Sequence, residues 1–282
     1  VLSCHPAGPS TVLNGKYKGK TLQEVYLADK SICGTKGKKY EFFPLLIKFI
    51  DAKRDLSIQV HPDDEYAMRV EGEYGKTEAW YILDCEPDAE LILGFNRNVT
   101  VEEFKKAAQG DEMMSICNRV KVKKGDVFFI ESGTMHAICK GILLAEVQQN
   151  SNTTYRIYDY GRLGKDGKPR ELHVDKAADV TKLCPPSIPD SSKREVEKFD
   201  NASRSKLTSC DLFTMYELSV DGEYSSVCDE QSFVSLLCLE GSAEIECDGE
   251  KLMMKKGESI FIPANKGKFT INGNVKILET RL

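Results

Sequence analysis

The chain has 282 residues, with 39 Lys and Arg against 44 Asp and Glu and a formal net charge of −5. That balance argues against a duplex-binding surface, which needs clustered excess Lys and Arg. No apolar run approaches the roughly 20 residues of a membrane span, and the opening residues VLSCHPAGPS lack the basic and apolar segments of a signal peptide. We therefore expect a cytoplasmic protein that binds neither nucleic acid nor membrane.

Short apolar or alternating runs, separated by Gly, Asn and Asp, predict a mostly β protein. The predicted strands lie at 42–50, 56–60, 79–84, 90–94, 127–130, 137–148, 212–219, 232–239, 243–247, 259–262 and 268–279. Capping residues and acidic first turns predict helices at 20–29, 63–70 and 100–109.

Residues 180–206 break this pattern, since they hold three prolines, several serines and a charge run with little periodicity. Such a composition is typical of a linker. The sequence therefore predicts a first domain over 1–180, a linker over 181–206 and a second domain over 207–282.

The two halves share an internal repeat. VKVKKGDVFFI in the first half resembles KLMMKKGESIFI in the second, so that Gly125 and Gly257 occupy matching places. In this match the position of His136 falls near Lys268. We therefore expect the second domain to be a degenerate copy without a metal.

The chain has ten cysteines and no C-x-x-C pair, which argues against ribbon-type zinc sites and thioredoxin chemistry. Most of them lie in apolar, strand-like runs, as Cys139 and Cys238 do. We interpret them as small buried hydrophobic residues in a reducing compartment.

Histidine is scarce, and two of the four histidines stand at informative places. Gln59 and His61 lie two residues apart on one predicted strand and share its face. Glu78 begins another strand, and His136 follows the strand VFFI. Two imidazoles, a carboxylate and an amide oxygen at strand ends can converge on Zn²⁺. A histidine beside a strand is also often an ordinary hydrogen-bonded residue, and the spacing alone leaves both interpretations open.

Longer strings carry a family resemblance. GDVFFIESGTMH resembles the second cupin signature, G-x₅-P-x-G-x₂-H, and departs from it only at Glu131, where the family usually has Pro. Four strings in order are similar to type I phosphomannose isomerases of the short bacterial branch: PLLIKFIDAKRDLSIQVHPDDEYA, GKTEAWYIL, GDVFFIESGTMHAI and LAEVQQNSNTTYRIYDYGR. The resemblance is strong over 2–175 and weak over 207–282.

The resemblance implies an all-β fold of two cupin-like barrels or jelly rolls with a few peripheral helices. It also implies one Zn²⁺ per chain, held by Gln59, His61, Glu78 and His136. The family's active-site arginine matches Arg156. An arginine among tyrosines can instead be structural stacking.

Further site residues follow from the same resemblance. Glu146 matches an active-site acid, and the lysines and serine around the family's site match Lys48, Ser57 and Lys76. The resemblance implies that these three hold the substrate's phosphate. Lys48 in an otherwise apolar run should be paired or functional, although a strand-end lysine can also reach solvent. Without the family match, Lys76 could equally be an ordinary surface lysine.

The implied activity is the interconversion of mannose 6-phosphate and fructose 6-phosphate through an enediol, with a small phosphosugar as the partner. Asn152 stands where the family usually has an Asp that is a candidate for proton transfer in some members. A metal-bound water, Glu146 and Lys76 remain as proton carriers. Another cupin enzyme, such as an Fe(II) oxygenase, and a non-catalytic sugar-phosphate sensor stay open as alternatives.

Overall fold

A computed structural model describes residues 2–110, 112–164, 166–188 and 193–282. The chain divides into two compact units, which we call the central unit (residues 49–189) and the split unit (residues 1–48 and 190–282). Among the described residues, no helix is long and apolar enough to cross a membrane.

Residues 1–48 belong to the same unit as the C-terminal part of the chain. The amides of Thr35 and Lys36 donate to the carbonyls of Glu230 and Gln231 at 2.8 and 3.0 Å. Composition shows where a linker can lie, but it does not show which distant segment a chain end pairs with. The residues of the expected linker also contain strand structure, namely Val196–Phe199 and the start of Ala202–Ser209.

The described strands are β1 (Leu45–Ala52), β2 (Ile58–Val60), β3 (Glu78–Cys85), β4 (Glu90–Phe95), β5 (Cys117–Lys121), β6 (Val127–Ile130), β7 (His136–Ile138), β8 (Ile142–Gln149), β9 (Tyr155–Tyr158), β10 (Val196–Phe199), β11 (Ala202–Ser209), β12 (Thr214–Cys228), β13 (Val234–Cys247), β14 (Glu250–Lys255), β15 (Ser259–Ile262) and β16 (Gly267–Arg281). The described α-helices are α1 (Leu22–Ala28), α2 (Gly34–Gly37), α3 (Asp64–Val70), α4 (Val101–Gln109), α5 (Met113–Ile116) and α6 (Val174–Val180).

All three predicted helices are confirmed, and their caps explain where they begin. Thr21 and Thr100 each form a capping box with the glutamate three residues on, and the Asp63 side chain accepts from the amide of Tyr66. These bonds satisfy amides that have no partner inside the first helical turn. Helix α6 was not predicted from the sequence, because it has no side-chain cap at His173.

The central unit contains two sheets. One has the strand order β1-β8-β3-β6 and the other β5-β4-β7-β2-β9. A buried cluster joins both sheets, since Trp80, Ile82 and Phe128 of the first pack with Leu91 and Ile138 of the second. The facing sides of the two sheets therefore enclose an apolar interior.

The other side of the five-stranded sheet is covered by helices. Ile58, Val60 and Ile157 of this sheet pack with Phe104 of α4 and Ala177 of α6. The sheet is thus buried on both faces, which fixes the register of the short strand β2, since a one-residue slip would exchange its two faces.

The split unit holds a seven-stranded sheet with the order β10-β11-β12-β16-β13-β14, and β15 also pairs with β13. Strands β12 and β16 pair over 15 residues each, and Gly222 and Gly273 lie opposite each other midway. A Cβ on Gly273 would lie 2.5 Å from the carbonyl oxygen of Ser242, so no larger residue has room there. Leu218 and Tyr224, on either side of Gly222, belong to one core.

The internal repeat expected from the sequence is present as one turn structure in both units. The turn glycines, Gly125 and Gly257, have φ angles of +89° and +87°. In both turns the acid after the glycine donates its amide to the lysine carbonyl three residues before, and its side chain accepts from that lysine's amide. The pairs are Asp126 with Lys123 and Glu258 with Lys255. The repeated sequence therefore encodes a repeated local structure.

Candidate metal centre and active site

Neighbouring strands of the five-stranded sheet bring two of the predicted ligands side by side. Gln59 on β2 is the register partner of His136 on β7, so their side chains share one face. His61 follows two residues after Gln59. Leu93, also opposite His136, belongs to the apolar interior of the central unit. The face that carries these ligands is therefore the inner one.

The four-stranded sheet supplies the carboxylate from the opposite side. Glu78 begins β3 and lies two residues from Trp80, which is fully buried in the interior. On the adjacent strand, Gln148 and Glu146 are the register partners of Glu78 and Trp80. These side chains therefore point to the same interior, at the position where the apolar core gives way to polar groups.

The three charged or titratable ligands converge. The Nε2 of His61 lies 3.7 Å from one oxygen of Glu78, and the Nε2 of His136 lies 3.4 Å from the other. One candidate ligand atom from each residue lies within 4.8 Å of the others, and all three residues are buried. Carboxylate and imidazole atoms in this arrangement can hold one divalent cation.

Backbone carbonyls orient both imidazoles. The Nδ1 of His61 donates to the carbonyl of Thr153, and the Nδ1 of His136 donates to the carbonyl of Thr134, each at 2.9 Å. A proton on Nδ1 leaves the lone pair on Nε2, which is the atom that faces Glu78. Burial lowers the pKa of His136 to about 4. The ring is therefore neutral at pH 7, as a metal ligand must be.

Gln59, the fourth predicted ligand, contributes a side-chain amide. Its Nε2 lies 3.4 Å from the Nε2 of His136. The nitrogen therefore donates to the ring in this arrangement, and an amide rotated by 180° would present its oxygen at the same place. Gln59 therefore lies beside the group of His61, Glu78 and His136.

Lys76 is buried beside the centre. Its Nζ lies 3.2 Å from Glu78, and its side chain is only 7% exposed. Burial lowers the pKa of Lys76, but the Glu78 and Glu146 carboxylates raise it by more, and the net pKa lies above its ordinary value. The side chain is therefore a charged ammonium and not a surface lysine.

The segment before Glu78 is fixed by side-chain hydrogen bonds that were not predicted from the sequence. The Asp64 side chain accepts from the amide of Gly75 and from the Gln149 side chain, each at 2.8 Å, and Gln149 accepts from the amide of Thr77 at 2.8 Å. Gln149 was detectable as a polar residue that ends the apolar strand β8.

Gly75 lies in close contact with the backbone at the start of α3. A Cβ on Gly75 would lie 2.3 Å from the carbonyl carbon of Asp63. Any larger residue would therefore require the backbone before Lys76 to move.

Arg156 lies on β9, directly opposite Gln59, and shares its face of the sheet. Its Nη1 donates to the carbonyl of Glu171 at 2.8 Å, and its amide donates to the Nδ1 of His173 at 3.1 Å. The buried Nε of Arg156 has no hydrogen-bond partner among the described residues. His173 therefore supports the strand that carries Arg156.

The remaining predicted residues differ in position. Glu146 is 2% exposed on the inner face of β8, and Ser57 is buried just before β2. Lys48 lies half-buried in β1, at the last residue of the first segment of the split unit. A cavity of about 410 Å³ lies beside the loop after β9 and includes none of the three metal-ligand candidates.

Two β-sheets whose facing sides carry a buried group of two histidines and one carboxylate define a mostly β protein with a candidate metal centre. Two family models match: "Phosphomannose isomerase type I, catalytic domain" over residues 1–96 and "Mannose-6-phosphate isomerase, cupin domain" over residues 203–281. The chain is 41% identical to the probable mannose-6-phosphate isomerase GmuF of Bacillus subtilis, covering 98% of this chain and 86% of that protein. It is 40% identical to the mannose-6-phosphate isomerase ManA of the same organism, covering 99% and 87%. The chain belongs to the type I phosphomannose isomerase family.

A solved structure agrees with this assignment. The crystal structure of the mannose 6-phosphate isomerase from Bacillus subtilis matches with a TM-score of 0.92 at 38% identity, and the match covers 100% of this chain and 88% of that chain. The family resemblance noted in the sequence is thus confirmed.

Proposed function

We propose that this protein is a zinc-dependent isomerase that interconverts D-mannose 6-phosphate and D-fructose 6-phosphate. The observation that carries the proposal is the buried cluster of His61, Glu78 and His136 in a chain that belongs to the type I phosphomannose isomerase family. Relatives at about 40% identity bear the name of this activity.

The donor set fits one zinc ion per chain. His61, Glu78, His136 and, after rotation of its amide, Gln59 would hold it. Imidazole and carboxylate ligands suit Zn²⁺, and both rings already present Nε2. When bound, the ion would supply a Lewis acid that polarises the substrate's oxygens.

The reaction moves a proton between C1 and C2 through an enediol, and negative charge develops on the neighbouring oxygens. Arg156 would stabilise that charge, since its guanidinium stays charged and its buried Nε has no hydrogen-bond partner among the described residues. Preorganised positive charge in a buried site is worth more than in water.

Glu146 and Lys76 are the proposed proton carriers on this chain. Glu146 is buried on the same sheet face as Glu78, and a carboxylate there can accept a proton. Lys76 holds a proton at Nζ and can donate it to a substrate oxygen. Asn152, where the family usually has Asp, cannot act as a base.

Lys48, Ser57 and Lys76 are the proposed phosphate ligands. Because Lys76 lies 3.2 Å from Glu78, we propose that it contacts the reacting end of the substrate. Lys48 and Ser57 remain the candidates for the phosphate dianion.

We also propose that the expected first domain, residues 1–180, is the metal-binding cupin barrel, that residues 181–206 are the linker, and that residues 207–282 are the degenerate, metal-free copy. Matching the repeated turns places Lys268 at the position of His136. Glu78 pairs with Ile130 and Val234 pairs with Ile262, so the counterpart of Glu78 is the apolar Val234. The ten free cysteines suit a reducing cytoplasm.

A coupled assay that follows NADPH formation from mannose 6-phosphate, with metal analysis of the same sample, tests the proposal. Chelator-sensitive turnover with zinc near one per chain is expected. A folded, zinc-loaded protein without turnover would favour the sugar-phosphate sensor suggested by Asn152. Iron in the protein with oxygen-dependent activity would favour another cupin enzyme.

A further inference from the structure

Asp159, in the loop after β9, holds two arginines. One of its oxygens accepts from Arg162 and Arg170, and the other accepts from the Nε of Arg170 at 2.7 Å. The Asp159 side chain is 5% exposed, whereas those of Arg162 and Arg170 are 24% and 43% exposed. One buried carboxylate therefore compensates two positive charges.

The backbone of this loop is built to make the cluster. The amide of Arg162 donates to the carbonyl of Asp159 at 3.1 Å. The two residues between them, Tyr160 and Gly161, have φ angles of +57° and +65°. A left-handed conformation is unfavourable for a tyrosine, so the surrounding contacts must hold it.

The cluster continues to Arg156. Arg170 precedes Glu171, whose carbonyl accepts from the Arg156 guanidinium at 2.8 Å. The amide of His173 also donates to the Arg156 carbonyl at 2.8 Å. The ion pair between Asp159 and Arg170 therefore fixes the start of the segment that orients Arg156.

The cluster also reaches the strand that carries Gln59. The Nη1 of Arg162 donates to the carbonyl of Asp55, and the following residue, Leu56, donates its amide to Ile138 at 2.9 Å. Arg162 thereby connects Asp159 to the segment that leads into β2. Asp159 therefore acts on both segments through the two arginines.

The charges around Arg156 also connect it to Asp159. Burial lowers the pKa of Arg156, and the charges of Arg170 and Arg162 lower it further, while Asp159 opposes them. Without the carboxylate, three arginines would repel one another in a partly buried loop.

We propose that Asp159 is a positioning residue for Arg156: it fixes Arg170 and Arg162 and thereby directs the Arg156 guanidinium toward the reacting end of the substrate. This inference rests on the proposed isomerase function. It adds to the site a residue that contacts neither the metal ligands nor the substrate.

The test is Asp159→Asn, which keeps the shape and removes the charge. Since Arg156 acts on charge that develops during the reaction, kcat should fall about ten-fold or more, while KM and zinc content change less than about two-fold. The matched control is Asp175→Asn, which removes an exposed aspartate paired with Lys105 and should leave kcat unchanged. An unchanged kcat in Asp159→Asn would overturn the proposal.

A double-mutant cycle separates positioning from general destabilisation. In an Arg156→Lys background, Asp159→Asn should lower kcat less than about two-fold further, because the group it positions is already gone. An equal fold-loss in both backgrounds would contradict the proposal. If the wild-type protein has no turnover at all, the proposed function fails instead, so the two failures are distinct.

Arg170→Gln provides a second route if Asp159→Asn does not fold. It loosens the Glu171 segment but leaves Arg162 on Asp159. We expect a fall in kcat of about three-fold or more that also disappears in the Arg156→Lys background. A kcat equal to that of the wild type would count against the proposal.

Discussion

At the residue scale, the centre depends on which ring nitrogen of each histidine faces inward. Carbonyls of Thr134 and Thr153 occupy the Nδ1 atoms of His136 and His61. Both contacts come from backbone atoms of residues outside helices and strands, so the side chains of the two threonines are not needed for them. The two candidate ligands are therefore oriented by backbone contacts of the fold itself.

Replacing one ligand should remove the metal. In His136→Ala we expect zinc content below about a tenth of a metal per chain and a loss of turnover of about a thousand-fold, because two protein ligands and an amide hold zinc poorly. Metal analysis and the coupled assay measure both quantities. The control is His5→Ala, in the split unit, which should keep zinc and turnover. Full zinc occupancy in His136→Ala would show that the ligand assignment is wrong.

At the element scale, the segment between α3 and β3 decides where Lys76 and Glu78 lie. It has little room to move, since Gly75 packs on the backbone of Asp63 and Gln149 binds the amide of Thr77. The short strand β2 is fixed in a similar way by its neighbours on both sides. The site is thus assembled by loops and short strands supported by a rigid interior.

Gly75→Ala tests this segment. The added methyl group must displace backbone, so we expect a loss of about 2 kcal/mol in unfolding free energy and a kcat lowered about ten-fold. Urea unfolding and the coupled assay provide the two measurements. Gly110→Ala is the matched control, since its Cβ would meet only the Lys106 carbonyl, at 3.7 Å. Wild-type kcat in Gly75→Ala would contradict the role given to this segment.

The repeated turns give a matched pair of predictions. Neither Gly125 nor Gly257 would gain a close contact from a Cβ, and both have strongly positive φ angles. Alanine at either place should therefore cost about 1–2 kcal/mol of unfolding free energy through backbone strain alone. Denaturant unfolding of the two variants would measure this. Costs that differ by more than about 1 kcal/mol would argue against equivalent turns.

Local signals explain why so much of the fold was predictable from the sequence. The capping boxes at Thr21 and Thr100 are encoded within four residues, and strand alternation placed Gln59 and His61 on one face. What the sequence did not reveal depends on distant partners, such as the binding of Gln149 to Asp64 across 85 positions. The packing of residues 1–48 with the C-terminal segment is another such long-range feature.

At the scale of the whole molecule, the two units share a turn structure but differ in the side chains that occupy the positions of the candidate metal ligands. The central unit has Glu78 and His136 inside, whereas the matching places of the split unit carry Val234 and the exposed Lys268. Also in the central unit, Asp159 forms ion pairs with Arg162 and Arg170, which lie outside the candidate metal ligands.

These ion pairs should make the unfolding free energy of the chain depend on pH. Burial raises the pKa of Asp159, but hydrogen bonds from Arg170 and Arg162 outweigh it and bring the pKa below its usual value. A carboxyl with a lowered folded-state pKa stabilises above its unfolded pKa, about 3.9, and loses this contribution as pH falls through the folded value.

We therefore expect Asp159→Asn to lower the unfolding free energy by about 2 kcal/mol at pH 7, with the difference from the wild type shrinking below about pH 3.9. Urea unfolding over a pH series measures it. A difference that persists unchanged down to pH 3 would argue against the charge pairing.

The most direct test of the account is mannose 6-phosphate turnover by the wild-type protein before and after chelation, with zinc measured in the same sample. The account predicts about one zinc per chain, turnover abolished by the chelator, and recovery when one equivalent of zinc is returned. Undiminished turnover in protein shown to be free of metal would contradict it.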